Sequence, residues 1–284
     1  MLPKLVLSPS FIAVLFFVYG FILWTGVISF TDSGLTPHYH FVGFEQYLKL
    51  WNNVRWKTAI TNFFIFGSLF VFLCLFVGLL LAILLDQKIR AEGWLRTVYL
   101  YPMALSFIVT GTVWKWLLNP GIGIERYFQS LGWTSFSFDW IIDSRMSIYA
   151  VAIAAIWQSS GFVMALFLAG LRGVDDDLLR AARLDGANQF TIYHRIILPS
   201  LRPVFLSALV ILLHTAIKTF DLVIAMTGGG PGYSSDMPAT FMYAHAFQRS
   251  QLGLGSASAM IMLMTVIAIM VPYLYSEVRG VGRE

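Results

Sequence analysis

Residues 178–199 read LLRAARLDGANQFTIYHRIILP, a polar, soluble-looking island between two long apolar segments. Asp175, Asp176 and Asp177 stand just upstream. The first can cap a helix through its side-chain oxygens, and the next two suit the positive end of the helix dipole. Gly186 falls where that helix would stop, because glycine enters the left-handed turn with no Cβ penalty. Phe190, Tyr193 and Ile197 recur at i, i+3, i+7 and predict an apolar stripe on a second short helix. Pro199 is expected to end it, since it lacks the N–H that continues the ladder. The spacing predicts a helix–glycine–helix knuckle shaped to enter a groove on another protein.

The flanking sequence sets the class. Hydrophobic residues make up 58% of the 284-residue chain and charged residues 12%, with a mean hydropathy of +0.73. Soluble domains carry about 25% charged residues, so the expectation is an all-α, polytopic membrane protein. Six stretches reach the roughly 20 residues needed to cross about 30 Å of hydrocarbon. They lie at 9–30, 62–85, 97–118, 147–171, 203–226 and 254–275, within one transmembrane domain over 1–284. The first has one lysine ahead of it, Lys4, and no A-x-A site, so it reads as a span rather than a cleaved signal peptide. Placing both termini in the cytoplasm puts eleven Lys/Arg inside, six outside and two within spans. That asymmetry favours the arrangement and puts loop 172–200 in the cytoplasm. It also explains a pI of 9.2 without nucleic acid. Cys74, the one cysteine, excludes an intrachain disulfide and CxxC redox chemistry.

The run Ala181-Ala182-x-x-Asp185-Gly186-Ala187, followed by Ile196-x-Leu198-Pro199, resembles the "EAA" loop of ABC-importer permeases. In that family the loop is a coupling helix that docks on a cytoplasmic ATPase subunit. The resemblance implies that Ala181, Ala182, Asp185, Gly186, Ala187, Phe190 and Pro199 serve ATPase coupling. Two positions depart: Arg180 stands where the family usually has Glu, and Tyr193 where it usually has Phe. The role of that Glu therefore does not carry over. Trp114-Lys115-Trp116-Leu117-Leu118-Asn119-Pro120 resembles a segment of the sugar-importing permeases. Phe220-Asp221 followed by Thr227-Gly228-Gly229-Gly230-Pro231 resembles an ending of the maltose-permease type. The family implies a second related permease, two ATPase subunits holding ATP and Mg, an external solute-binding protein, and no cofactor on this chain. Its location would be the bacterial inner membrane, and the motif set looks closest to glucose and mannose importers.

Other segments carry weaker signals. His38-x-His40 has no Cys or further His close by in the sequence and reads as solvated rather than metal-binding. Trp51 and Trp56 suit an interfacial aromatic belt. Gln158 and Ser159 in span four are costly in lipid unless they face protein or water. Gly161, Ala165 and Ala169 fall four apart and allow close helix contact. Gly253, Gly255, Ser256, Ala257, Ser258 and Ala259 open span six as a packing surface. If spans four and five cross the bilayer in opposite directions, their midpoints are Ser159 and Thr215. A solute path is expected there, lined by Trp157, Ser159, Phe162, Thr215 and Thr219. Lys218 and Asp221, at i, i+3 on a continuous helix, are expected to form a structural ion pair.

No Walker A sequence occurs, and the glycine run at 228–232 lacks the Lys-Ser/Thr of a phosphate cradle. No G-x-S-x-G is present either. An intramembrane enzyme using His214 or Asp221, or an ATP-independent channel, are the alternatives. Neither needs a knuckle.

Overall fold

The computed structural model describes residues 2–87 and 89–281. Lys88 and Arg283, two of the basic residues assigned to the cytoplasmic side, lie outside the described residues. The regular secondary structure of the described residues is helical, apart from one bridge between Thr31 and Phe41. In order, the helices are α1 (Ser8–Ile28), α2 (Glu45–Asn52), α3 (Val54–Leu85), α4 (Glu92–Ala104) and α5 (Phe107–Leu117). Then come α6 (Ile124–Ser130), α7 (Ser147–Arg172), α8 (Asp176–Leu184), α9 (Gln189–Ser200) and α10 (Arg202–Ile217). The last are α11 (Asp221–Met226), α12 (Pro238–Tyr243) and α13 (Leu252–Val281).

Four helices are long and apolar enough to cross a membrane: α1, α3, α7 and, over Leu252–Tyr273, α13. Two helix pairs among the described residues are apolar enough only when taken together, α4 with α5, bent by 99°, and α9 with α10, bent by 59°. The stretch 97–118 is thus not one helix. Pro102 sits in a 3-10 turn, and Ser106 takes extended backbone and caps α5 by accepting from the Val109 N–H at 3.3 Å. The stretch 203–226 also breaks, at residues 218–220. The stretch 62–85 begins earlier than expected, at Val54, because the Asn53 side chain accepts from the Arg55 and Trp56 amides. The stretch at 147–171 coincides with α7.

α7 is the central helix. It packs along α3 with Phe66, Phe70, Met164 and Phe167 fully buried between them. In lipid such contacts hold by close packing rather than by exclusion of water. Gly161 lets α7 reach the broken pair: a Cβ there would stand 1.9 Å from the Tyr99 carbonyl oxygen. One turn away, the Gln158 amide donates to the Leu105 carbonyl at 2.7 Å. That bond satisfies a backbone group freed by the break, which hydrocarbon would not do. Gln158 is therefore an interhelical partner.

At the end of the bundle away from the knuckle, Leu50, Trp56, Ala59, Phe241 and Leu254 form a second cluster. Trp56 is 0% exposed, so it is not part of an aromatic belt; Trp51 stays exposed. The small residues of α13 pack as expected, with Gly253 against the Thr31 carbonyl and Gly255 against Ala246.

Candidate functional site

Local capping builds the knuckle. An Asp175 carboxylate oxygen accepts from the Asp177 N–H at 2.9 Å and opens α8. At its other end the Ala187 N–H donates to the Ala182 carbonyl at 3.0 Å and the Gly186 N–H to Arg183 at 3.1 Å. Gly186 has φ +80, the left-handed stop that favours glycine. Asn188 then accepts from the Thr191 N–H at 2.8 Å and opens α9.

The knuckle's inward side is Leu179, Ala182, Ala187 and Tyr193, packed on the core. Its outward side is apolar too: Leu184 is 89% and Phe190 76% exposed. Ala181, Asp185 and Gly186 are also exposed. Phe190 therefore departs from the expected stripe with Tyr193 and Ile197 and points away from the protein. Leu184 joins it from the end of α8, across the Gly186 turn, where no helical period links the two. Arg180 pairs with Asp177 at 3.3 Å across two exposed side chains, so its charge is answered one turn away. Pro199 does not end the second helix. A π-helical turn at Tyr193–Ile197 absorbs its missing N–H, the chain stays helical to Ser200, and the bend follows at Leu201 ahead of Pro203. Arg172 braces the knuckle's base, with Nη2 2.5 Å from Glu92 and Nε 3.9 Å from Asp86.

The expected solute path divides. Thr215 and Thr219 line a cavity of about 260 Å³ with Phe107, Lys218, Phe220 and Asp221. Trp157 lines a different, mostly apolar cavity of about 570 Å³ with Leu73, Tyr99, Trp114 and Ser160. Ser159 and Phe162 line neither. The break in span three separates them, because it brings Phe107 rather than α7 against the end of α10. Phe107 was readable only through Pro102 and the Ser106 cap.

Lys218 and Asp221 are not an ion pair: none joins them among the described residues. The continuous helix that would have set them one turn apart does not exist. Lys218 leaves helical geometry, Phe220 has φ −128, and Asp221 starts a new helix. Both charges line the same cavity instead.

The strongest charge pair lies elsewhere. Arg55, in the first turn of α3, grips the fully buried Asp236 carboxylate through Nε and, at 3.2 Å, through Nη2. Thr240 donates to the same carboxylate at 2.5 Å, and the Asn62 amide holds the Ser234 and Asp236 carbonyls at 2.9 Å. The Arg55 guanidinium also lies 4.6 Å above the Tyr233 ring. Next to this clamp His245 is buried, with its ring stacked 3.9 Å from Phe241. Nδ1–H donates to the Phe241 carbonyl at 3.0 Å, which leaves Nε2 to accept from Arg249 at 3.4 Å. Burial pushes the imidazole below its ordinary value of 6.5, against the pull of the Phe241 hydrogen bond; the Arg249 and Arg55 charges lower it further and Asp236 opposes them. His38 and His40 both turn onto Asp32, at 3.2 and 3.1 Å.

Long apolar helices and two bent helix pairs, with a polar helical knuckle projecting from them, define a multi-pass membrane protein. Residues 74–279 match the family of binding-protein-dependent transport system inner membrane components, and the chain belongs to that family. It is similar to a probable ABC transporter permease of Pyrococcus horikoshii, at 40% identity over 98% of this chain and 96% of the relative. A xylose/arabinose import permease of Haloferax volcanii is 38% identical over 93% and 84%. The fold matches a chain of a bacterial alginate ABC transporter with a TM-score of 0.83 at 20% identity, covering 97% and 93%.

Proposed function

We propose that this chain is a permease subunit of an ATP-driven, binding-protein-dependent sugar importer. The observation that carries the reading is the knuckle, whose apolar tip of Leu184 and Phe190 stands exposed in a chain of this family. Leaving such side chains in water is costly, and a groove on an ATPase subunit would cover them. The complex would hold a second, related permease, two ATPase subunits carrying ATP and Mg, and an external solute-binding protein. Six spans, counting each bent pair as one, put both termini and the knuckle in the cytoplasm. ATP-driven closure of the ATPases pushes the knuckle and rocks the bundle from inward- to outward-open.

The sugar path runs through the cavity of Thr215 and Thr219, where hydroxyls and two charges can meet solute hydroxyls beside the Phe107 and Phe220 rings. The solute is a monosaccharide such as glucose or mannose. The motif set supports this, as does the naming of the Haloferax relative for two monosaccharides. The test is to purify the intact complex and measure its ATPase rate with each candidate sugar and the binding protein. Stimulation by a hexose supports the proposal; an ATPase rate indifferent to every sugar overturns it.

A further inference from the structure

α2 presents three different strips. Gln46 and Leu50 turn inward and are buried. Glu45 and Lys49 form a second, charged strip joined by an ion pair at 2.7 Å. Phe44, Leu48 and Trp51, at i, i+4, i+7, form a third that is apolar and exposed, and Val54 continues it. A helix with one face on its protein, one charged and one apolar has the pattern of a helix lying in the plane of a membrane interface.

The apolar strip does not end at α2. Trp51 lines a cavity of about 160 Å³ with Phe64 of α3 and Ile261 and Met262 of α13. From Phe64 an exposed stripe runs along α3 through Phe72, Phe76 and Leu80. Both α3 and α13 are long and apolar enough to cross a membrane, so the strip is continuous with surface apolar enough to meet hydrocarbon.

We propose that α2 is an interfacial anchor, seated in the lipid leaflet at the end of the bundle opposite the knuckle. Phe44, Leu48 and Trp51 enter the headgroup–acyl boundary, and Glu45 and Lys49 face water. Because Asn53 turns α2 directly into α3 and caps it, this seat sets the depth of the Arg55 turn and of the clamp on Asp236. The occupant is phospholipid, not a soluble protein.

The test uses the assembled transporter in phospholipid vesicles, with the buried native cysteine removed as Cys74→Ala. Nitroxide labels are placed at Leu48→Cys and Lys49→Cys, and collisions with lipid-soluble oxygen and a water-soluble nickel chelate are compared. The expected result is high oxygen and low nickel accessibility at position 48, and the reverse at 49, with no soluble protein added. Phe44→Cys gives the same reading if Leu48→Cys does not assemble. Nickel access at 44 or 48 equal to that at 49 overturns the proposal. So does shielding that arises only when a soluble solute-binding protein is added, which would make that protein the occupant.

Discussion

The knuckle and the clamp around Asp236 are both helical turns rich in polar groups, and they are held in opposite ways. In the knuckle each polar bond of the caps joins residues a few positions apart, and the tip is open to solvent. In the clamp Arg55 reaches a fully buried carboxylate 181 positions away, and Thr240 and Asn62 occupy the other polar atoms nearby. The first is cheap to deform and keeps its apolar surface for a partner. The second is stiff and tolerates no missing member, because removing one side strands a charge away from water. The rocking proposed above needs both: a local unit that moves as a body, and a fixed point to move against.

The comparison breaks most severely at Asp236. Asp236→Ala leaves the Arg55 guanidinium uncompensated and is expected to cost about 3–5 kcal/mol. Thermal unfolding of the purified complex reads this as a large drop in midpoint or as failed assembly. The paired change Arg55→Met with Asp236→Leu should recover much of the loss. If the single change unfolds no earlier than the parent, the clamp is not a fixed point.

At Gly186 the expected energetic effect is smaller and the functional one complete. Its backbone is left-handed, and a Cβ would meet nothing within 4 Å. Gly186→Val therefore adds only backbone strain, on the order of 1–2 kcal/mol. The complex should assemble with a midpoint lowered by only a few degrees while sugar-stimulated ATPase and uptake are lost. Full uptake by this variant would separate the knuckle from coupling.

Acidification sharpens the contrast at His245. Its folded pKa lies below the ordinary 6.5, so the unfolded chain binds the proton more readily than the folded one. Stability is fully present above roughly pH 6.5 and falls as pH drops below it. Once the intrinsic, base-catalysed slowing of exchange is divided out, protection factors at 241–249 should fall on acidification by more than those of the knuckle amides. His245→Asn should flatten that pH dependence.

The smallest effect is expected between Lys218 and Asp221. Without a direct pair, Lys218→Met and Asp221→Asn should show only the weak coupling of two side chains that share a cavity, about 0.5 kcal/mol in complex stability. Each is expected to lower uptake by altering the lining of the cavity. Rescue of one by the other would restore the ion pair that the broken helix removes.

Much of this molecule was legible in its sequence, and the parts share one property. The long apolar runs, the Asp175 and Gly186 punctuation and the small-residue start of α13 each act within a few residues, so neighbours in the chain suffice to read them. Misreadings cluster where a distant element intervenes. Pro199 looked terminal because a π turn ahead of it is not written in any single residue type. Phe190 leaves the stripe that a straight helix predicts. Trp157 and Thr215 share one path only if spans three and five are unbroken.

The sequence by itself determined a helical membrane chain with a polar knuckle, because hydrocarbon demands long apolar helices and a left-handed turn demands glycine. Only the tertiary structure decided where spans three and five break, which cavity each aromatic faces, and that Arg55 belongs to Asp236. Those outcomes depend on what stands opposite: Gln158 on the Leu105 carbonyl, Gly161 under Tyr99, Asn62 on the loop at Ser234. A backbone group freed in the membrane must find a partner, and that partner comes from another helix, at a separation no local pattern records.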